Sequence, residues 1–167
     1  GGFEHPDRAR HHPDAHVSDR QFLIGGGLLL TLLLSGCAGS VDVDEYPTVP
    51  GTAVDCKALI ADAPRRVADQ DSLEVPGQVA AAWGDPAIIL RCGVEKPEAL
   101  TPSARCFDVS DVGWLAETTA DGYLFTTIGR AFHVSVEVPK TYDPAADALA
   151  DLATSVKKHD PEQEPCV

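Results

Sequence analysis

The sequence predicts an α+β domain: a small antiparallel meander of about four strands with two helices flanking it, stapled by disulfides. Three observations predict it. Phe132, Val134, Val136 and Val138 alternate with His133, Ser135 and Glu137, the period-two pattern of a strand with one buried face. Apolar residues at helical one-face spacing occur on both sides of the strand region. Cys56, Cys92, Cys106 and Cys166 form an even set in a domain of this size, which reads as two disulfides in an oxidising compartment.

The first helix is expected to be capped by Asp55, with Cys56, Leu59, Ile60 and Ala63 on its apolar face and Pro64 as its stop. After Arg65 and Arg66 the chain to Pro76 is polar and Asp-rich and reads as a connection. Gly84, Asp85 and Pro86 supply a turn after Trp83, and the continuous apolar run that follows to Val94 suits a central strand. Pro97 and Pro102 make 95–102 a loop. A second strand lies within 107–119, clearest at Val112, Trp114 and Ala116. Asp121-Gly122 is a strong hairpin signal leading to a return strand over 123–128. Gly129-Arg130 makes a further tight turn into the alternating strand, which Pro139 ends. Asp143-Pro144 reads as N-cap and first-turn proline of the last helix, whose stripe is Ala145, Leu149, Leu152, Ala153 and Val156. Lys157, Lys158 and His159 suit the negative end of its dipole, and Pro161 closes it.

Four cysteines allow three pairings, and spacing alone does not choose among them. Cys92 and Cys106 bracket the Pro-rich loop, so they are expected to pair, leaving Cys56 with Cys166. The absence of a C-x-x-C pair argues against a zinc ribbon or a thioredoxin-type site.

Ahead of the domain, Arg20 precedes an apolar run over 22–34, short of the ~20 residues needed to span a bilayer. A positive flank, a short apolar segment and small residues at its end describe a signal peptide. Leu34-Ser35-Gly36-Cys37 resembles the bacterial lipobox, in which the cysteine thiol accepts a diacylglyceryl group. The expected organisation is therefore a signal peptide with a long leader (1–36), a lipidated Cys37 on a flexible acidic tether (37–53), and one extracytoplasmic domain (54–167) on the outer face of the cytoplasmic membrane. His5, His11, His12 and His16 fall in the leader that would be removed, and read as solvated residues rather than a metal site. From Cys37 onward ten Lys and Arg stand against twenty-two Asp and Glu, a net charge of −12, which disfavours nucleic acid and anionic lipid headgroups and favours solubility or a basic partner.

The chemistry-bearing candidates are few. His133, Ser135 and Glu137 share one strand face, but neighbouring positions on a strand rarely form a triad, and no G-x-S-x-G elbow occurs. Arg91 and Arg130 lie beside apolar strands and near Trp83 and Trp114, a set that could hold a carboxylate, phosphate or sugar. The plainer alternative pairs each arginine with a carboxylate such as Asp85 or Asp108. Asp85 itself reads as a turn residue. No phosphate loop, zinc helix motif or paired-carboxylate signature occurs.

Trp83-Gly84-Asp85-Pro86, Leu90-Arg91-Cys92-Gly93-Val94, Val112-Gly113-Trp114 and the stretch from Thr126-Thr127-Ile128-Gly129-Arg130 to Val138-Pro139 resemble an actinobacterial family of exported, membrane-attached proteins (domain of unknown function 3515). The resemblance covers roughly 54–160. It implies an envelope location and carries no established activity, catalytic residue or cofactor. The expected function is that of a membrane-anchored, non-catalytic accessory module with a protein partner, needing no cofactor beyond lipid on Cys37. A small-ligand-binding lipoprotein at Arg91, Arg130 and Trp114 is the alternative, and an envelope hydrolase using His133 a third.

Overall fold

The computed structural model describes residues 39–166; the expected signal peptide and Cys37 lie outside the described residues. Among the described residues, two helices and eight strands run in the order α1 (Ala53–Ala61), β1 (Arg66–Val67), β2 (Gln70–Leu73), β3 (Ala80–Trp83), β4 (Ile88–Val94), β5 (Phe107–Val109), β6 (Val112–Thr118), β7 (Gly122–Thr127), β8 (His133–Pro139) and α2 (Ala146–His159). The strands form one antiparallel sheet ordered β1-β2-β3-β4-β8-β7-β6-β5. The α+β class stands, but the sheet has twice the four strands expected.

Three of the unforeseen strands, β1, β2 and β5, belong to hairpins without glycine at their turns. Ala68 and Asp69 (φ 46° and 61°) join β1 to β2, and Ser110 and Asp111 (φ 54° and 63°) join β5 to β6. Left-handed backbone at both central positions is the geometry of a type I′ turn, which Asn-Gly or Asp-Gly ordinarily supplies. Here α2 secures both turns. Asp151 Oδ2 accepts the Ala68 N–H at 2.8 Å, and Lys157 Nζ donates to the Ser110 carbonyl at 2.8 Å. The helix therefore reaches from the β1–β2 hairpin to the β5–β6 hairpin across one face of the sheet.

That face holds the core. Leu149, Leu152, Ala153 and Val156 of α2 bury against a cluster that includes Ile88, Leu90, Val134, Val136 and Val138. The expected apolar faces of β8 and α2 are both found there. The helix starts differ: Thr52 precedes α1, with Asp55 in its first turn, and Ala145 precedes α2, two residues beyond the expected Asp143 cap. Gly122 opens β7 instead of occupying a two-residue turn, and a Cβ there would collide with the Val138 carbonyl of β8.

The disulfides are Cys56–Cys92 and Cys106–Cys166, correcting the pairing that bracketed the loop. Cys92 faces the core, where α1 lays Cys56 over β4. Cys106 immediately precedes β5 at the sheet edge. The terminal segment reaches it by running along the β7–β8 turn, where Gln163 and Glu164 N–H donate to the Gly129 carbonyl at 2.7 and 2.9 Å.

The stretch expected to be a flexible acidic tether is also different. Residues 39–52 form a strap held on the domain. The Glu74 N–H donates to the Gly39 carbonyl and the Val41 N–H to the Glu74 carbonyl, both at 2.9 Å. Tyr46 Oη donates to the Val79 carbonyl (2.7 Å) and accepts the Cys92 N–H (3.2 Å). The Val49 N–H donates to the Gly93 carbonyl at 2.8 Å, and Val43 is buried. Composition suggested a tether because Asp42, Asp44 and Glu45 are charged; they are exposed while the backbone around them is bonded.

Candidate functional site

The four residues proposed as a ligand site occupy separate places. Arg91 pairs in register with Ser135 of β8, on the face opposite the helices, and its Nη1 donates to Glu137 Oε2 at 3.0 Å. Trp83 and Trp114 are fully buried on the helix side. The Trp83 indole N–H donates to the Pro64 carbonyl at 2.8 Å, and that of Trp114 has no partner among the described residues. Arg130 sits in the β7–β8 turn with its side chain 3% exposed. Its Nη1 donates to the Asp160 carbonyl (2.6 Å) and its Nη2 to the Asp111 carbonyl (2.9 Å), with Glu162 4.0 Å away. This arginine ties the β5–β6 turn, the β7–β8 turn and the end of α2 together. Its backbone surroundings were invisible to a search for carboxylate partners in sequence.

His133, Ser135 and Glu137 do lie along β8 on one face. The Glu137 carboxylate is taken by Arg91, and Ser135 is buried. His133 Nδ1 lies 3.1 Å from the Thr127 carbonyl. A carbonyl only accepts, so Nδ1 carries the proton and Nε2 is the basic nitrogen of the neutral ring.

His133 lies instead at the junction of two adjoining clefts of about 500 and 460 Å³, which share it and Lys96. Val49, Pro50 and Phe132 wall the first cleft; Leu100, Pro102 and Ile128 wall the second. Five pieces of chain build the groove: the end of the strap, α1 at Asp55, the β4–β5 loop, the β7–β8 turn and the terminal segment at 164–166. Gly129 (φ 69°) shapes that turn, where any Cβ would run into the Glu164 carbonyl. The lining residues are far apart in sequence, so no local motif could have marked the site. Lys96 and His133 make no ion pair among the described residues, whereas Lys157 and Lys158 pair with Asp111 and Asp62. His159 adds its Nε2 to Asp62 at 2.6 Å, so the expected helix-end cation has a carboxylate partner as well. Lys158 and then His159 hold the Asp62 carboxyl below its ordinary range.

Beneath the groove's β7–β8 turn lies a buried acid, Asp160. Its Oδ1 accepts the Phe132 N–H at 3.2 Å, and Oδ2 has no partner among the described residues. Burial pushes its carboxyl up to about 6, against the opposing pull of the Phe132 N–H and of Arg130. On the far side of the domain, Asp69, Asp143, Asp147 and Asp151 line another cleft. Among the described residues no three His, Cys, Asp or Glu side chains converge as a metal site, and no helix is long and apolar enough to cross a membrane.

No curated protein and no solved structure matches the chain. A family model matches residues 25–165, and the chain accordingly belongs to the family described as Protein of unknown function (DUF3515).

Proposed function

We propose that the chain is an envelope lipoprotein, lipidated at Cys37 on the outer face of the cytoplasmic membrane, whose domain is a non-catalytic interaction module. The observation that carries the interaction reading is the paired cleft at Lys96 and His133. It is an elongated groove of mixed apolar and polar lining, with Lys96 and His133 at its centre and Asp55 and Glu164 toward its two ends, a shape suited to an extended segment of another protein. The disulfides suit an oxidising compartment, and the lipobox supplies the anchor.

The test is affinity capture of the tagged full chain from its native membranes in mild detergent, beside a Lys96→Glu/His133→Asp variant. The expected result is one near-stoichiometric partner, captured by the parent chain and lost from the variant. Capture of the chain alone, or equal capture by both, refutes the reading. In parallel, Cys37→Ser is expected to release the protein from membranes; a variant that stays embedded would identify an uncleaved anchor.

A second reading, binding of a small anion, is favoured by the absence of any carboxylate within ion-pair distance of Lys96 or His133 among the described residues. Titrating inorganic phosphate or acetate should then shift the His133 ring resonances saturably, and Lys96→Ala should weaken the effect at least several-fold. A linear, non-saturating response, or one unchanged by Lys96→Ala, excludes it.

A further inference from the structure

We infer that the strap holds the domain on the bilayer in one orientation, with the β3–β4 turn and the adjoining edge of β2 toward the lipid and the Lys96–His133 groove turned away from it. The inference rests on the lipidation of Cys37 proposed above.

The geometry follows from where the strap begins and which way it runs. Both polar backbone groups of Glu74 bond to the strap, and the Ser40–Glu74 bridge is parallel. Residues 39–41 therefore travel in the direction of β2, away from its start at Gln70. Gly39, the first described residue of the strap, lies at the end of it nearest the start of β2 and the β3–β4 turn. Consistent with this, Gly39 and Ser40 line a cleft together with Asp71, Gly84 and Asp85. Cys37 is two residues from Gly39, a reach of at most ~7 Å. A lipid on that cysteine thus places the Asp71 and Asp85 end of the sheet beside the headgroups.

The groove is at the other end. β4 leaves the β3–β4 turn at Ile88 and ends at Val94, seven residues or roughly 20 Å away at ~3.3 Å per residue. Lys96 follows two residues later, and His133 pairs with Val94. Were residues 39–52 a flexible linker, the domain would wander by ~20 Å in any orientation. Hydrogen bonds from Gly39 to Val49 remove that slack. Charge does not set the contact, because Asp71 and Asp85 offer no attraction to anionic headgroups. The strap does, and the occupant of this face is the lipid surface itself.

The test uses the full lipidated chain in phosphatidylcholine vesicles carrying an energy-transfer acceptor in the headgroup layer. A donor dye is placed through Asp85→Cys or, separately, Glu98→Cys, both exposed positions. Transfer from position 85 is expected to be several-fold more efficient than from 98. Combining either with Tyr46→Ala and Val41→Pro, which removes the Val41 N–H donated to Glu74, should bring the two efficiencies together. Equal transfer from both positions in the parent strap, or greater transfer from 98, overturns the orientation. Mass analysis of the N-terminal peptide and flotation with vesicles separate the two failures: unlipidated protein that does not float overturns the lipoprotein reading and this inference with it, whereas lipidated, floating protein with equal transfer overturns the orientation alone.

Discussion

Replacing Cys56 and Cys92 together by alanine is expected to lower the unfolding free energy by about 4 kcal/mol. The bond closes 36 residues of chain, and loop-closure entropy for that length corresponds to roughly this amount. For a domain whose total stability is ~5–15 kcal/mol, such a loss is severe. Its location makes the loss global. α1 has only nine residues, no side-chain cap and no basic residue in its last turn, so it has little stability of its own. Cys56 and Leu59 are its buried residues, and the disulfide binds it to β4 at the centre of the sheet. Cys106–Cys166 spans 60 residues, so loop length alone would rank it at least as high. It differs in holding a terminal segment that can peel from the β7–β8 turn while the sheet stays intact. Urea melts should therefore show the midpoint falling steeply for Cys56→Ala/Cys92→Ala. In Cys106→Ala/Cys166→Ala, hydrogen exchange should rise first at 161–166. Equal midpoint losses with no local exchange at 161–166 would contradict this assignment.

That contrast also explains why the pairing was not legible in the sequence. Cys92 and Cys106 are close along the chain, but the intervening loop carries the chain from the centre of the sheet at β4 to its far edge at β5. Strand order separates them, and strand order is a long-range property. The strongly apolar elements were legible: β8 and α2 each announce a buried face through apolar spacing, and β4 announces a central strand through its continuous apolar run. The short outer strands were not. β1 and β2 carry Arg66, Gln70, Asp71 and Ser72, mostly solvent-facing, and their turn at Ala68-Asp69 depends on Asp151, 83 positions away from Ala68. The strap was misread for a related reason. Its hydrogen bonds are made by backbone groups and by Tyr46, while its charges, which dominate composition, point to solvent.

The arginines teach the same point about sites. Arg91 and Arg130 stood out because charge beside apolar strands demands a partner. The partners are Glu137 for one and two carbonyls for the other, so both arginines are committed to the fold. Lys96 drew no attention in the sequence because it follows an ordinary loop start. Only the folded chain sets it at the junction with His133.

Asp160→Asn is expected to make the protein more stable at pH 7.5 and slightly less stable at pH 4. In the native state the Asp160 carboxyl is raised from its ordinary 3.8 to about 6, chiefly by burial. An acid raised on folding contributes stability that is fully present below its unfolded value. That contribution is lost as the pH rises through the folded value. The window is therefore about pH 4 to 6, with stability falling toward neutrality. The shift corresponds to on the order of 2 kcal/mol once solvent screening at the helix end is allowed for. The groups facing the carboxyl divide by sign: Arg130 and the Phe132 and Ala131 N–H groups favour its ionised form, while burial and Asp55 oppose it. Asparagine keeps an oxygen for the Phe132 N–H and removes the buried charge. Its new NH₂ takes the place of an oxygen that has no partner, and that unmet donor reduces the net gain at pH 7.5 to about 1 kcal/mol. The decisive quantity is the difference in unfolding free energy between variant and parent across pH 4 to 8, because the repulsion among the other carboxylates then cancels. That difference should climb between pH 4 and 6 and level off above. A difference that stays flat across the window would mean Asp160 ionises without penalty where it sits, and that the groove's β7–β8 turn rests on a charged carboxylate.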